Sequence, residues 1–131
     1  MKQIKPALSI SNQGDTIIVE GGLYQEGNIV ISQSIVFLGE GMPIIDGEKK
    51  YEVLSIKANH VVVSGFTIQH SGIATLDDPG GIKVYYSKHV TISDNYLYDN
   101  FFGIYMQCCK SCLIKNNKIV ALGKEEQMIG N

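Results

Sequence analysis

Apolar and polar residues alternate over short runs along this chain, which is the periodicity of β-strands. Two stretches, 81–97 and 103–119, repeat one pattern without a gap at a spacing of 22 residues. An earlier copy begins at Leu54 and is followed by a longer insertion. Each copy holds three apolar runs divided by Ser, Asn, Asp and Gly, with no room for a helix between them. The pattern predicts a coil of strands in which each strand pairs with its equivalent in the next turn.

Repeats of roughly 22 residues built from strands alone predict an all-β fold, a single-stranded right-handed parallel β-helix of about five coils. We expect one domain over 1–131, with irregular N-terminal coils at 7–50, regular repeats at 53–122 and a tail at 123–131. The tail has no pattern of a capping helix, which predicts an open strand edge. Such an edge indicates either a fragment of a longer β-helix or a surface for self-association.

Stacking of equivalent residues about 4.8 Å apart turns the alignment into a prediction of the core. Val61, Val90 and Cys112 share one inward column. Asn95 lies over Asn117 in another column, where an amide ladder would satisfy polar side chains at an inner turn. The other inward columns combine Leu54, Ile82 and Ile104; Ile56, Val84 and Met106; Val63, Ile92 and Ile114; and Ile68, Leu97 and Ile119.

Composition and charge argue against some classes of function, such as nucleic-acid binding. Hydrophobic residues make up 44% and charged residues 18%, which supports a packed core. The net charge is −2 with no basic run and no arginine, which argues against nucleic-acid binding. No run reaches the roughly 18 apolar residues of a membrane span. The N-terminus lacks the apolar stretch of a signal peptide, so we expect either a cytosolic chain or a mature piece of an exported one.

Three cysteines lie within five positions, Cys108, Cys109 and Cys112. The odd number argues against a disulfide framework. Cys109 and Cys112 have a metal-ligand spacing, but a second pair is missing. In the alignment Cys109 falls in a column of small residues and Cys112 in the core, so we expect both to be structural and Cys108 to be exposed.

His60 and His89 fall in one column on adjacent coils, with rings expected about 5 Å apart. Such a pair would bind a soft metal such as copper, with Met106 and Cys108 as further candidate ligands. The alternative is that both histidines are exposed turn residues, because Ser111 fills the next place in their column.

Acid–base chemistry on a sugar would need two carboxylates, and Asp77 with Asp78 is the candidate pair. The sequence 77–80 is also an ordinary turn, which is the favoured interpretation, and we do not expect an enzyme. His70, beside the insertion, marks an irregular face where partners would bind. A sugar-binding or protein-binding surface would use the tyrosines Tyr85, Tyr86, Tyr96, Tyr98 and Tyr105.

Segments 14–19, 22–26 and 45–47 resemble the opening coils of pectin-lyase-like β-helices. Segments 65–72, 80–84 and 100–105 resemble the NosD family, whose members are periplasmic proteins of nitrous oxide reductase maturation. The resemblance implies an exported location, an ABC transporter and copper-carrier proteins as partners, and copper as a possible ligand. The Gly-His-Gly and Arg-Ile-Lys motifs of polygalacturonase-type β-helices are absent from this sequence.

The leading hypothesis is therefore a non-catalytic scaffold of the NosD type that assists copper-site maturation of nitrous oxide reductase. The alternative is a carbohydrate-binding or carbohydrate-cleaving β-helix module. The two hypotheses differ in ligand, because the second requires an oligosaccharide groove along one sheet.

Overall fold

The computed structural model describes residues 3–72 and 79–120 and shows a solenoid of short strands. In chain order the elements are α1 (Ile4–Ser9), β1 (Thr16–Glu20), β2 (Leu23–Tyr24), β3 (Ile29–Ile31), β4 (Val36–Glu40), β5 (Ile44–Asp46), β6 (Leu54–Ile56), β7 (Val62–Ser64), β8 (Thr67–Gln69), β9 (Gly80–Tyr85), β10 (Thr91–Ser93), β11 (Tyr96–Tyr98), β12 (Phe102–Gln107), β13 (Leu113–Lys115) and β14 (Lys118–Val120).

These strands form three parallel sheets that the chain visits in rotation. Sheet A has the order β1-β4-β7-β10-β13, sheet B has β2-β5-β8-β11-β14, and sheet C has β3-β6-β9-β12. The described residues thus complete four turns and add two strands of a fifth. This architecture confirms the predicted all-β parallel β-helix.

The spacing between equivalent residues varies with the connections. Asn95 and Asn117 are 22 residues apart, whereas Phe66 and Asn95 are 29 apart because the insertion lies between them. Residues 73–78 of that insertion and the tail 121–131 lie outside the described residues.

The core consists of in-register columns, as the alignment predicts. Ile92 pairs with Val63 on one side and with Ile114 on the other, and Leu97 pairs likewise with Ile68 and Ile119. Phe37 and Phe66 stack inside the solenoid with ring centroids 4.6 Å apart. Burial on this scale is the dominant favourable contribution to folding. Each coil therefore depends on its neighbours for its own core.

The column of Val61, Val90 and Cys112 is also in register. The N–H of Thr91 donates to the Val61 carbonyl at 2.8 Å, and the N–H of Leu113 donates to the Val90 carbonyl at 2.9 Å. Both valines are buried, whereas Cys112 is only partly buried. Cys112 belongs to the coil that contains β13 and β14.

The corners of the solenoid use left-handed backbone at non-glycine residues. His60, His89 and Ser111 occupy one corner column with φ of 56°, 58° and 54°, and His70 and Asp99 occupy another with φ of 58° and 55°. Left-handed residues are uncommon outside glycine, and Asn, Asp and His are among those that tolerate the conformation best. The chain therefore changes direction at single residues, and residues of one corner column lie over one another.

A short helix, α1, packs on the first coil and was not predicted. Ile4 is 1% exposed and belongs to the core. The Glu26 carboxylate accepts hydrogen bonds from the N–H groups of Ile4 at 2.7 Å and Lys5 at 2.9 Å, which satisfies donors that a helix N-terminus leaves free. Ile4, Ala7 and Leu8 have helical spacing, which was the available sequence indication. Among the described residues, no helix is long and apolar enough to cross a membrane.

Candidate functional site

The outer face of sheet C carries two rows of polar and aromatic side chains, because alternate residues of each strand point away from the core. The first row follows the pairing of Val30 with Ser55, Ser55 with Lys83, and Lys83 with Tyr105. The second row contains Tyr85, which pairs with Gln107, and Lys57, which lies next to Tyr85. We call these two rows, together with Asn28 and Glu52, the sheet C face.

Glu52 is held in place by its neighbours on the sheet C face. The Tyr85 hydroxyl donates to both carboxylate oxygens of Glu52, at 3.0 Å and 2.8 Å. The Ser55 hydroxyl also donates to this carboxylate. Asn28 Nδ2 donates to the Glu52 carbonyl and to Ser55 Oγ, both at 2.9 Å. The carboxylate therefore has a fixed orientation.

Lys83 lies between two aromatic rings on the same face. Its Nζ is 5.0 Å from the centroid of Tyr85 and 4.9 Å from that of Tyr105. Lys57 approaches Tyr85 from another coil, with Nζ 4.8 Å from the ring centroid. Ammonium groups within about 6 Å of a ring are attracted to its face. These contacts fix the rings and leave Tyr85 and Tyr105 half-buried, with part of each ring accessible.

A cleft of about 320 Å³ lies between α1 and the sheet C face. Its lining includes Lys5, Leu8 and Ser9 from α1 and Asn28 and Val30 from the sheet. Because Asn28 and Val30 belong to both, the cleft and the face form one continuous surface. At a strand spacing of about 4.8 Å, the four strands of sheet C extend this surface over roughly 14 Å.

A second polar cluster lies at the corner that follows sheet B. His70 Nδ1 is 3.2 Å from Asp46 Oδ1, and His70 Nε2 is 3.7 Å from Asp99 Oδ2. Lys49 Nζ forms a 2.8 Å ion pair with the same Asp99 oxygen. The cluster therefore joins three coils. The position of His70 beside the insertion predicted an irregular face, but its contacts with Asp46 and Asp99 were not predicted.

In this cluster, the surroundings of Asp46 shift the pKa of its carboxyl group. Burial alone raises the pKa of its carboxyl group, but hydrogen bonds from the Glu48 N–H at 2.8 Å and Gln69 Nε2 at 3.3 Å lower it more. His70 adds a further lowering effect, so the pKa of Asp46 lies below its ordinary value of 3.8. The structure thus favours the ionised carboxylate.

The structure brings two of the four candidate metal ligands together. The rings of His60 and His89 stack with centroids 4.8 Å apart and planes inclined by 13°, and both side chains are exposed. Met106 packs against the core, whereas Cys108 is an exposed free thiol. In residues 3–72 and 79–120, no group of three or more His, Cys, Asp or Glu side chains is arranged to hold a metal ion.

The cysteine cluster contains a disulfide, which the sequence analysis did not expect. Cys109 and Cys112 are bonded to each other, with Cα atoms 6.1 Å apart. One bonded pair with the free Cys108 accounts for the odd number. The pair joins the corner after β12 to the start of β13, and both residues pack against the core.

Asn95 and Asn117 form the amide contact that their shared column suggests. Asn95 Nδ2 donates to Asn117 Oδ1 at 3.1 Å, and Asn95 Oδ1 accepts from the Phe66 N–H at 3.0 Å. Asn100 makes a similar set of bonds that the sequence analysis missed. It accepts from the Ser71 N–H at 3.1 Å and donates to the Ile68 carbonyl at 3.0 Å. These amides bind successive coils to one another.

The remaining candidates are divided among several places. Asp77 and Asp78 lie outside the described residues. The five tyrosines do not form one surface: Tyr85 and Tyr105 lie on sheet C, Tyr96 and Tyr98 on sheet B, and Tyr86 at a corner. Glu52, Lys57 and Lys83 were not predicted as site residues, although the alignment of Lys83 with Ser55 and Tyr105 places Lys83 beside Tyr105.

Comparison with known proteins gives a family for the whole solenoid. A search of curated proteins and a search of solved structures each returned no match. A family model described as "Right handed beta helix region" matches residues 7–125, a range that includes every strand of the three sheets. The chain therefore belongs to the family of right-handed β-helix proteins.

Proposed function

We propose that this chain is a non-catalytic binding module that holds a saccharide chain along the sheet C face. The observation that carries the proposal is the continuity of this face with the cleft beside α1. Half-buried tyrosine rings offer apolar surfaces for the faces of sugar rings. Fixed polar groups in the coils beyond Tyr85, such as Glu52 and Asn28, are suited to hydrogen bonds with hydroxyl groups.

The arrangement of carboxylates favours binding over cleavage. Glycosidic bond hydrolysis generally uses two carboxyl groups that flank the bond. On the described part of the sheet C face, Glu52 is the one carboxylate. Both of its oxygens already accept hydrogen bonds from Tyr85. This supports a module that binds a sugar without turnover.

A second proposal follows the resemblance to the NosD family. In it the chain is an exported or periplasmic scaffold that assists copper-site maturation of nitrous oxide reductase, beside an ABC transporter and copper carriers. The stacked pair of His60 and His89 favours this function, because imidazole nitrogen is a ligand that copper accepts. The pair alone supplies two ligands, so its contact with copper would be transient.

One pair of titrations separates the two proposals. The purified chain is titrated calorimetrically with neutral and acidic oligosaccharides, and separately with Cu(I) under anaerobic conditions. We expect oligosaccharide binding that Tyr105→Ala weakens about tenfold, because the variant removes an aromatic contact surface. Tyr96→Ala on sheet B is the matched control and should bind as the wild type does.

Three results would contradict the saccharide proposal. They are the absence of oligosaccharide binding, an equal loss in the Tyr96 control, and release of new reducing ends during incubation. Stoichiometric Cu(I) binding that is lost in the His60→Asn, His89→Asn double variant, but kept in His70→Asn, would favour the copper scaffold instead.

A further inference from the structure

Five basic side chains form a ridge on the corner that joins sheet C to sheet A. They come from the connections between β6 and β7, between β9 and β10, and between β12 and β13. All five are exposed. The basic ridge, as we call it, consists of Lys57, His60, Lys88, His89 and Lys110.

The backbone holds this ridge in register. The N–H of His60 donates to the Lys88 carbonyl and the N–H of His89 to the Lys110 carbonyl, both at 2.9 Å. Lys88 and Lys110 form a parallel bridge, and the Lys88 N–H donates to Asn59 Oδ1 at 2.9 Å. Basic groups in the column of His60 and His89 and in the column of Lys88 and Lys110 therefore repeat at the strand spacing of about 4.8 Å, and Lys57 lies beside Tyr85.

The corner supplies no acidic group to neutralise the ridge. Its four connecting segments, 32–34, 57–60, 86–89 and 108–111, contain no Asp or Glu. Within 3–72 and 79–120, none of the ridge lysines has an ion-pair partner. The other titratable groups of the corner and its adjoining strands are Lys83, Tyr85, Tyr86, Tyr105, Cys108 and Lys115, with Glu52 bound to Tyr85 and Glu40 at the far end of β4. The ridge is therefore a local positive surface on a chain whose net charge is −2.

We propose that the basic ridge is a docking surface for an acidic peptide segment of a partner protein. Complementary charge steers such a segment to the ridge and sets its position. The ridge lies on an outer corner rather than in a groove, and Tyr86 is the one aromatic residue of its segments. A surface with so few rings suits an extended acidic peptide better than a sugar. This inference requires neither saccharide nor copper binding, although the ridge shares Lys57 with the sheet C face and His60 and His89 with the candidate copper pair.

The test uses a fluorescent peptide of eight glutamates, with a peptide of eight glutamines as the uncharged reference, at low ionic strength. The double variant Lys88→Gln, Lys110→Gln removes two charges from the ridge. The matched control Lys50→Gln, Lys118→Gln removes the same charge from exposed positions elsewhere. We expect the dissociation constant to be about tenfold larger for the ridge variant and to change less than about twofold for the control.

The proposal is overturned if the wild type does not bind the glutamate peptide or if both lysine pairs weaken binding equally. It is also overturned if an oligouronate or an oligonucleotide of equal charge binds more tightly. Tyr105→Ala should leave peptide binding unchanged, which keeps this result separate from that of the saccharide proposal.

Discussion

At the residue scale, the corner cluster shows how neighbouring coils set the state of one side chain. Asp46 belongs to β5, Gln69 to β8, and His70 follows β8 directly. The hydrogen bonds to Asp46 come from both local and distant groups, because the Glu48 N–H lies two residues along the chain, whereas Gln69 is brought close by in-register pairing with Asp46. The lowered pKa of Asp46 therefore depends on the local turn and on the neighbouring coil together.

This lowered pKa predicts how stability depends on acid. Because the pKa of Asp46 is lower in the folded chain than the ordinary 3.8, its contribution to stability is full above about pH 4 and is lost as the pH falls through the folded value. We expect the free energy of unfolding of the wild type to decrease below pH 4 more steeply than that of Asp46→Asn. Urea unfolding at a series of pH values between 2 and 7 measures both slopes. Equal slopes would show that Asp46 carries no such linkage.

At the element scale, the strands are more predictable from the sequence than helix α1 and the corners between the strands. The column of Val63, Ile92 and Ile114 follows from alternation and a constant repeat, because a register shift of one residue would expose every inward side chain. Helix α1 lies outside the repeat, and its capping group Glu26 is distant along the chain. The ion contacts of His70 and the Cys109–Cys112 bond depend on corner geometry that alternation does not describe.

The capping of α1 can be tested through Glu26. The variant Glu26→Ala leaves two N–H groups at the helix N-terminus without their carboxylate partner. We expect a loss of about 1 kcal/mol in the free energy of unfolding, measured by chemical denaturation. Glu40→Ala, at an exposed end of β4, is the control and should change stability by less than about 0.5 kcal/mol. A control that loses as much stability as Glu26→Ala would rule out a specific capping role.

At the scale of the whole molecule, each coil contacts mainly the coils on either side of it. In such solenoids stability is close to a sum of coil and interface contributions. The parallel strands and the right-handed β-helix family were predictable from the sequence because the regular repeats carry one pattern. The sheet C face was only partly predictable, because it combines side chains that are close together solely when their columns are in register, such as Lys83 and Tyr105.

This arrangement predicts that damage at one end stays local. Ile119 is buried in β14 and packs against Gly103 of β12, so Ile119→Ala leaves a cavity in the last two described coils. We expect faster amide hydrogen exchange in 102–120 and little change in 16–46, as measured by hydrogen-exchange mass spectrometry. A uniform increase along the chain would instead indicate that the solenoid unfolds as a single cooperative unit.

The contact between Asn95 and Asn117 has a consequence for how such a protein can grow. Asn95 uses its amide oxygen toward the preceding coil and its amide nitrogen toward the following one, in addition to the Val63 carbonyl. An asparagine in this column therefore presents its amide oxygen to the preceding coil and its amide nitrogen to the following coil. A duplicated stretch of 22 residues inserted between them would meet matching partners on both sides. Gene duplication can thus lengthen the rod one layer at a time without redesign of the layers already present.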